Sequence, residues 1–176
     1  MKNLLLISAK YNSGADCAAL SLLNTLSNEA REKDRESYYK SLSGLARHLL
    51  EGPVFFQSLL KPAVPRNQEA LKALGVIEGV SVPKGPLTEE QWKTFTASCK
   101  AADEALISFT AALKEEDLRA PVKVPFYKGN PEAVPLYFVL QNLFTHGVHH
   151  RGQISQILDE LKIEHTYSSL KPELLG

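Results

Sequence analysis

The distribution of prolines is the feature that most limits the folds open to this 176-residue chain. Most of its ten prolines lie in three stretches, at residues 61–66, 82–87 and 120–135. Proline lacks a backbone N–H donor and clashes with the preceding turn of a helix, so it is disfavoured in helix interiors. The three stretches are therefore predicted to be connections between long segments that are nearly free of proline.

Those intervening segments repeat apolar residues at spacings of three and four, which is typical of amphipathic helices. Long helices are predicted over 13–33, over 37–60, from Thr88 to about residue 116, and from Pro131 or Val134 to Leu161. A short helix over 67–74 would end at Gly75. The predicted fold class is all-α, a four-helix bundle with Pro/Gly-rich connections, formed by one domain over residues 1–176.

Local signals refine these boundaries. Thr88 and Gln91 fit a capping box, whereas Ser13 or Asn12 would cap the first helix. Gly52-Pro53 predicts a kink or a short break in the second helix. The charged run 29–36 is predicted to be solvated, 76–86 to be a loop, and 121–127 to be an extended pair or a loop.

Composition excludes several classes of function. Twenty basic residues balance twenty acidic ones, so no large electrostatic surface for nucleic acid or anionic membrane is expected. The two cysteines cannot form a disulfide scaffold or a four-cysteine zinc site. No segment has the ~18–20 apolar residues that span a bilayer. The apolar run 4–9 is short for a signal peptide, so we expect a mature, cytoplasmic protein.

Three of the five histidines fall within five positions of the fourth predicted helix. His146 and His150 are four residues apart, so they lie on one helix face, and His150 belongs to the predicted inward seam of apolar residues. Imidazole is a good ligand for Zn, Ni, Fe or Mn. An i, i+4 pair of histidines is the spacing of helix-borne zinc sites.

A stable site needs a third ligand, and His48 is the only other histidine on a long predicted helix. Three histidine ligands would leave coordination positions open, as in catalytic rather than structural zinc sites. The competing interpretation is that these histidines are polar residues of the core. Two adjacent buried imidazoles need partners for their nitrogens, and a metal ion would serve both.

Several neighbouring residues have open roles. His149 could replace His150 as a ligand, but it lies further from the seam, so we favour a partly exposed residue beside the site. Gln153 could hydrogen-bond a ligand or fill a polar gap in the core. Arg151 could anchor an anionic substrate, although a structural ion pair is favoured. His165 is expected to be solvated, and Cys17 to be a small buried residue rather than a nucleophile.

The run His146-Gly147-Val148-His149-His150-Arg151-Gly152-Gln153-Ile154 resembles the H-x-x-H-H-R-G-Q-[IV] signature of the DinB-like (DinB/YfiT-like) metalloenzyme family. Tyr11-Asn12 is similar to the start of that family. The segment 41–49, which contains His48, resembles its second-helix segment. Thr145 departs from the asparagine of many relatives, and Phe55 and Phe56 stand near the tryptophan of many relatives.

The resemblance implies a four-helix bundle with a divalent metal bound by three histidines, which match His48, His146 and His150. It also implies a homodimer and a relation to enzymes that transfer or open thiol conjugates, such as S-transferases that use low-molecular-weight thiols.

These observations predict a metal-dependent transferase or hydrolase that acts on a small-molecule substrate. Its metal would activate water or a thiol, with transfer placed ahead of hydrolysis. No acid or base side chain can be assigned from the sequence, so the catalytic residues are unknown beyond the metal ligands. The alternatives are a non-catalytic bundle that binds a metal or small ligand, and an interaction bundle without metal.

Overall fold

The computed structural model describes residues 1–125 and 133–175, and within them the chain is mostly helical. The α-helices are α1 (Lys2–Asn24), α2 (Asn28–Glu32), α3 (Leu42–Leu60), α4 (Gln68–Glu78), α5 (Glu89–Ala112) and α6 (Leu136–Glu160). Strands β1 (Pro121–Val122) and β2 (Val134–Pro135) form a short antiparallel pair. The all-α prediction is confirmed. Within the described part of the chain, none of the helices combines the length and apolar character that crossing a bilayer requires.

The four long helices pack on one another through their apolar faces. Helix α1 contacts α5 and α6, and α3 contacts the same two helices from another side. The shorter α4 packs mainly against α5. Leucine, alanine and phenylalanine side chains from these helices fill the interior, as the spacing of three and four requires. Burial of this apolar surface is the main force that holds the helices together.

Helix α1 differs from its prediction at both ends. It begins at Lys2 rather than near Ser13, because Leu5 and Ala9 extend its buried face toward the N-terminus. Asn12 does not cap the helix. Its side chain donates to the carbonyl of Ser8 and accepts a hydrogen bond from a distant residue, so tertiary contact replaces the capping role.

The predicted first helix also ends early, at Asn24, and a separate helix α2 follows, capped by Ser27. The charged run 29–36 is not wholly solvated, since Arg31 is only 1% exposed. Its guanidinium donates to the carbonyls of Leu23 and Leu26 at the end of α1 and forms a 2.6 Å ion pair with Glu89. Arg31 thus neutralises the carbonyl-rich end of α1.

Among the other predicted helix boundaries, some agree with the structure and others differ from it. The capping box of Thr88 and Gln91 is present at the start of α5, as predicted. Of the kink or short break predicted at Gly52-Pro53, the break is absent, because α3 continues through this buried proline without interruption. Helix α4 continues past Gly75 and ends before Gly79, so residues 76–78 are helical rather than part of a loop.

The alternation of apolar residues and prolines in 121–127 includes strand β1, which pairs with β2 immediately before α6. Helix α6 begins at Leu136, and the alternative start at Pro131 lies outside the described residues. Its predicted seam is buried at Leu140, His150 and Ile154. The seam ends before Leu161, which is 39% exposed.

A buried ion pair joins α6 to α1. Arg151 is 2% exposed, and its guanidinium donates 2.8 Å hydrogen bonds to the carboxylate of Asp16 and the amide oxygen of Asn12. The guanidinium also lies 5.4 Å from the centre of the Tyr11 ring. These contacts support the favoured structural interpretation of Arg151. Gly147, one turn earlier on α6, lies beside the same Asn12 side chain.

We expect Gly147→Ala to be destabilising, because an ideal Cβ there would lie 2.7 Å from Asn12 Oδ1 and 3.0 Å from Arg151 Nη1. Displacing these groups should lower the free energy of unfolding by about 1–3 kcal/mol in urea titrations. Gly14→Ala is the matched control, since no neighbouring atom lies within 4 Å of its ideal Cβ. That change should raise stability by up to about 1 kcal/mol. Equal effects of the two substitutions would contradict the packing argument.

A second prediction concerns Asp103 on α5, whose pKa is raised well above its usual value by burial and by the nearby charge of Asp16, against the opposing effect of Arg151. The unfolded chain therefore releases the proton of Asp103 at a lower pH than the folded chain does. Because of this difference, the free energy of unfolding should fall as pH rises above about 4. Asp103→Asn removes this contribution and leaves the one from Asp16, whose pKa is also raised by burial. Urea titrations at acidic and neutral pH should show the variant gaining stability relative to the wild type as pH rises.

Glu90→Gln, at an exposed position in the first turn of α5, serves as the control for Asp103→Asn. It should leave the pH dependence of the wild type nearly unchanged. If Asp103→Asn and the wild type kept a constant difference in unfolding free energy across this pH range, Asp103 would not be the group that holds the proton.

Candidate metal centre

The three histidines singled out in the sequence lie together between α3 and α6. His48 comes from α3, and His146 and His150 come from successive turns of α6. One ring nitrogen from each histidine lies within 4.8 Å of the corresponding nitrogens of the other two. The Nε2 atoms of His48 and His146 are 3.0 Å apart. Three imidazole nitrogens at this separation can hold a metal ion.

The close packing of α3 against α6 makes this grouping possible. Gly52 lies one turn after His48 on the same face of α3. An ideal Cβ at Gly52 would lie 3.2 Å from a methyl group of Leu143 and 4.0 Å from the His146 ring. The missing side chain therefore lets the helices approach at the height of the histidines. The i, i+4 spacing of His146 and His150 then aligns both rings toward α3.

Hydrogen bonds orient two of the three rings. His48 Nδ1 lies 2.8 Å from a carboxylate oxygen of Glu51, and His150 Nδ1 lies 2.7 Å from the side-chain oxygen of Gln153. Both partners are acceptors, so each Nδ1 carries the hydrogen. Nε2 is then the nitrogen left with a free lone pair in each ring. Partners of this kind fix the tautomer and raise the basicity of metal-bound histidines in proteins.

Burial favours the neutral form of the two histidines on α6. Removal from water, and after it the neighbouring rings of His150, His48 and His149, together lower the pKa of His146 to about 4. Burial also lowers the pKa of His150, against the opposing effect of its hydrogen bond to Gln153. Both imidazoles are therefore unprotonated donors at neutral pH, which is the form that binds metal ions.

Tyr39 covers the cluster from the loop between α2 and α3. Its ring centre is 4.3 Å from that of His48 and 5.1 Å from that of His150. Burial and the nearby Tyr38 and Glu51 raise the pKa of the Tyr39 phenol. The hydroxyl group thus keeps its proton at neutral pH and is available as a hydrogen-bond donor.

Two clefts lie next to the histidines or to residues that contact them. The larger, of about 520 Å³, is lined mostly by polar side chains, among them Arg35, Tyr38, Tyr39, His149 and Gln153. The smaller, of about 400 Å³, is lined by Phe55, Phe56, Asn142, His48 and His146. A third cleft, of about 830 Å³, lies between α1 and the C-terminal segment. Of the three clefts, only the 400 Å³ one is lined by any of the three clustered histidines.

The remaining predicted residues have distinct positions. His149 is exposed, with its ring 4.8 Å from that of His150, and it is not one of the three clustered donors. Gln153 contacts His150 directly. His165 is half-buried rather than solvated, since it lies 3.3 Å from Asp159 and stacks on Tyr167. Cys17 is exposed, so the expectation of a buried residue was wrong.

Glu51 and Tyr39 were not singled out in the sequence. Glu51 follows His48 by three residues on a predicted helix, and this spacing alone could have indicated a contact. No comparable signal existed for Tyr39. It precedes α3 in a loop, and its position over the rings depends on the path of that loop.

The comparison with protein-family models matches residues 1–165 to the family described as the DinB family. Neither the comparison with curated proteins nor the comparison with solved structures found a match.

The hydrogen bonds predict the tautomers of the cluster. Two-dimensional ¹⁵N NMR of the metal-free protein at neutral pH should find His48 and His150 protonated on Nδ1. Gln153→Leu should remove this preference at His150 while leaving that of His48 intact, because the methyl groups of leucine cannot accept a hydrogen bond. Gln156→Leu, on the next turn of α6, is the control and should change neither ring. An Nε2-protonated His150 in the wild type would contradict the assignment.

Proposed function

Because the chain belongs to the DinB family, we propose that it is a metal-dependent enzyme whose divalent ion is bound by His48, His146 and His150. The observation that carries this proposal is the convergence of three imidazole rings, each with one nitrogen within 4.8 Å of the others. The same three residues match the ligands that the family resemblance implies.

The donor set fits a divalent transition metal. Three imidazoles suit Zn, Ni, Fe or Mn, and their number leaves room for further ligands at the ion. The Nδ1 hydrogen bonds of His48 and His150 leave both Nε2 atoms free to bind. His146 Nε2 donates to His48 Nε2 in this arrangement, so its proton would move to Nδ1 when an ion takes that place. The half-buried position of the His146 ring permits this change of tautomer.

When bound, a divalent ion would lower the pKa of a water molecule or a thiol and so supply a nucleophile at neutral pH. The protein supplies the surroundings for that chemistry. Glu51 and Gln153 hold two ligand rings in orientation, and Tyr39 excludes water from one side of the rings. The Tyr39 hydroxyl can donate a hydrogen bond or a proton to a group that develops negative charge.

Of the two reaction types, we favour thiol transfer over hydrolysis. The relatives that the resemblance implies use low-molecular-weight thiols. The two clefts beside the histidines also suit a reaction with two organic substrates, since one is lined by polar groups and the other includes two phenylalanines. A small-molecule hydrolase remains the other outcome of the same metal chemistry.

We further infer that α1, α3, α5 and α6 form the four-helix bundle of this family, within a single domain over residues 1–176. The mutual contacts of these four helices support the bundle. A homodimer is likewise proposed from the family resemblance alone, and measurement of the molar mass in solution tests it.

The decisive experiment compares bound metal in wild-type protein and in His150→Ala by elemental analysis after equal exposure to Zn²⁺. The wild type should retain about one equivalent, and the variant should lose most of it, because two imidazoles cannot hold the ion tightly. His149→Ala is the matched control, since it removes an exposed imidazole from the adjacent position. It should retain metal at the wild-type level.

Equal metal in wild type and His150→Ala would contradict the proposed site. A melting temperature that does not change on adding Zn²⁺ or a chelator would favour a bundle without metal. If the site binds metal, Co²⁺ substitution separates an enzyme from a storage protein. Addition of a thiol should change the visible spectrum of an enzyme, whereas an ion saturated by protein ligands would not respond.

A further inference from the structure

The larger cleft near the histidines contains a cation that has no counterion among the residues that the structure describes. Arg35 lines this cleft together with Tyr38, Tyr39, His149 and Gln153. The side chain of Arg35 is half-buried, and its Nε atom is buried with no hydrogen-bond partner. Over residues 1–125 and 133–175, the guanidinium of Arg35 forms no ion pair.

The other arginines with buried side chains are compensated. Arg31 pairs with Glu89 at 2.6 Å, and Arg151 pairs with Asp16 at 2.8 Å. A buried hydrogen-bond donor without an acceptor costs free energy, and proteins normally satisfy such groups. The buried Nε of Arg35 is such a donor. Arg35 therefore differs from these two arginines, and a bound anionic ligand would supply its missing hydrogen-bond acceptor and counterion. Its planar set of donors matches a carboxylate or a phosphate, which can accept two parallel hydrogen bonds.

The loop that carries Arg35 has a strained backbone conformation. The backbone N–H of Arg35 donates to the carbonyl of Lys40 at 2.6 Å. Glu36 and Lys40 have φ angles of 55° and 68°, in the left-handed region that residues other than glycine rarely adopt. Such backbone strain persists only where surrounding contacts impose it, and it concentrates at functional sites.

Gly44 at the start of α3 is one such contact. An ideal Cβ at this position would lie 1.8 Å from the carbonyl oxygen of Tyr39. Only glycine lets the loop approach α3 this closely. The same loop thereby sets both Tyr39 over the histidine rings and Arg35 in the adjoining cleft. The positions of Arg35 and of the histidine cluster are therefore coupled through this loop and α3.

We propose that Arg35 binds a carboxylate group of the substrate in this cleft, while the reacting end of the same molecule lies at the histidines. This inference rests on the proposed function and names its substrate class: a small thiol or electrophile that bears a carboxylate. The exposed imidazole of His149 and the hydroxyl groups of Tyr38 and Tyr39 add hydrogen-bonding capacity around the anion.

The charge of the cleft favours a carboxylate over a phosphate. Glu160 also lines the cleft, so one acidic side chain accompanies the single arginine. A phosphate dianion would meet one cation and one anion, whereas a carboxylate carries a single charge that Arg35 can neutralise. A monocarboxylate is therefore the better match for this lining.

The test uses zinc-loaded protein and four probes: 3-mercaptopropionate, 2-mercaptoethanol, propionate and inorganic phosphate. Dissociation constants would be measured by calorimetry or ligand-observed NMR. The wild type should bind 3-mercaptopropionate at least about tenfold more tightly than 2-mercaptoethanol, as expected for a charge-assisted hydrogen bond. Arg35→Gln should remove that difference and weaken propionate binding, while leaving 2-mercaptoethanol unchanged.

Two further variants separate the role of Arg35 from general effects. Arg35→Lys keeps the charge and should retain part of the preference for the carboxylate. Arg66→Gln removes an exposed arginine from the segment before α4 and should behave as wild type. Thermal unfolding followed by circular dichroism verifies that each variant is folded, so a lost preference can be assigned to the cleft.

The outcomes distinguish this inference from the proposed function. Equal affinity for the two thiols, or a preference that survives Arg35→Gln, would overturn the carboxylate site. Phosphate that binds more tightly than propionate and depends on Arg35 would overturn the assignment of the ligand as a carboxylate. If propionate binding depends on Arg35 but 3-mercaptopropionate binds no more tightly than propionate, the carboxylate site stands and the thiol-dependent function is wrong.

Discussion

Helix α6 is held by polar contacts on two sides, and the rest of the structure depends on this arrangement. On one side, Arg151 pairs with Asp16 and Asn12 of α1, almost completely removed from water. On the other, His146 and His150 face α3. A buried guanidinium without its partners would cost several kcal/mol, so the ion pair restricts how α6 can rotate or slide against α1. That restriction also fixes where the two imidazoles point.

The candidate metal centre adds a second requirement, close approach of α3 and α6. A glycine allows close approach in both helix contacts of α6. Gly52 of α3 faces Leu143 of α6, and Gly147 of α6 faces Asn12 of α1. Three groups of residues make up the site. The imidazoles form the centre, Glu51 and Gln153 orient two of them, and the loop with Tyr39 and Arg35 encloses one side. Each group comes from a different part of the chain, so the site forms only when the helices have packed.

Much of this could be predicted from the sequence. The helical class followed from apolar spacing and proline positions, and the start of α5 followed from its capping box. The grouping of His48, His146 and His150 was anticipated from helix periodicity together with the family resemblance. The errors have a common origin. The long N-terminal extension of α1, the burial of Arg31 and the intact helix at Pro53 all depend on contacts with distant residues, which local propensity does not report.

The sequence by itself therefore determined the helical periodicities and the pairing of His146 with His150, since both arise from the 3.6-residue turn of a single helix. Only the tertiary structure decided that His48 meets that pair and that Glu51 and Gln153 orient the rings. It also decided that Arg151 is satisfied by an ion pair, while Arg35 has none within the described part of the chain. These properties depend on distances between helices, and such distances are set by the packing of the whole core rather than by any one segment.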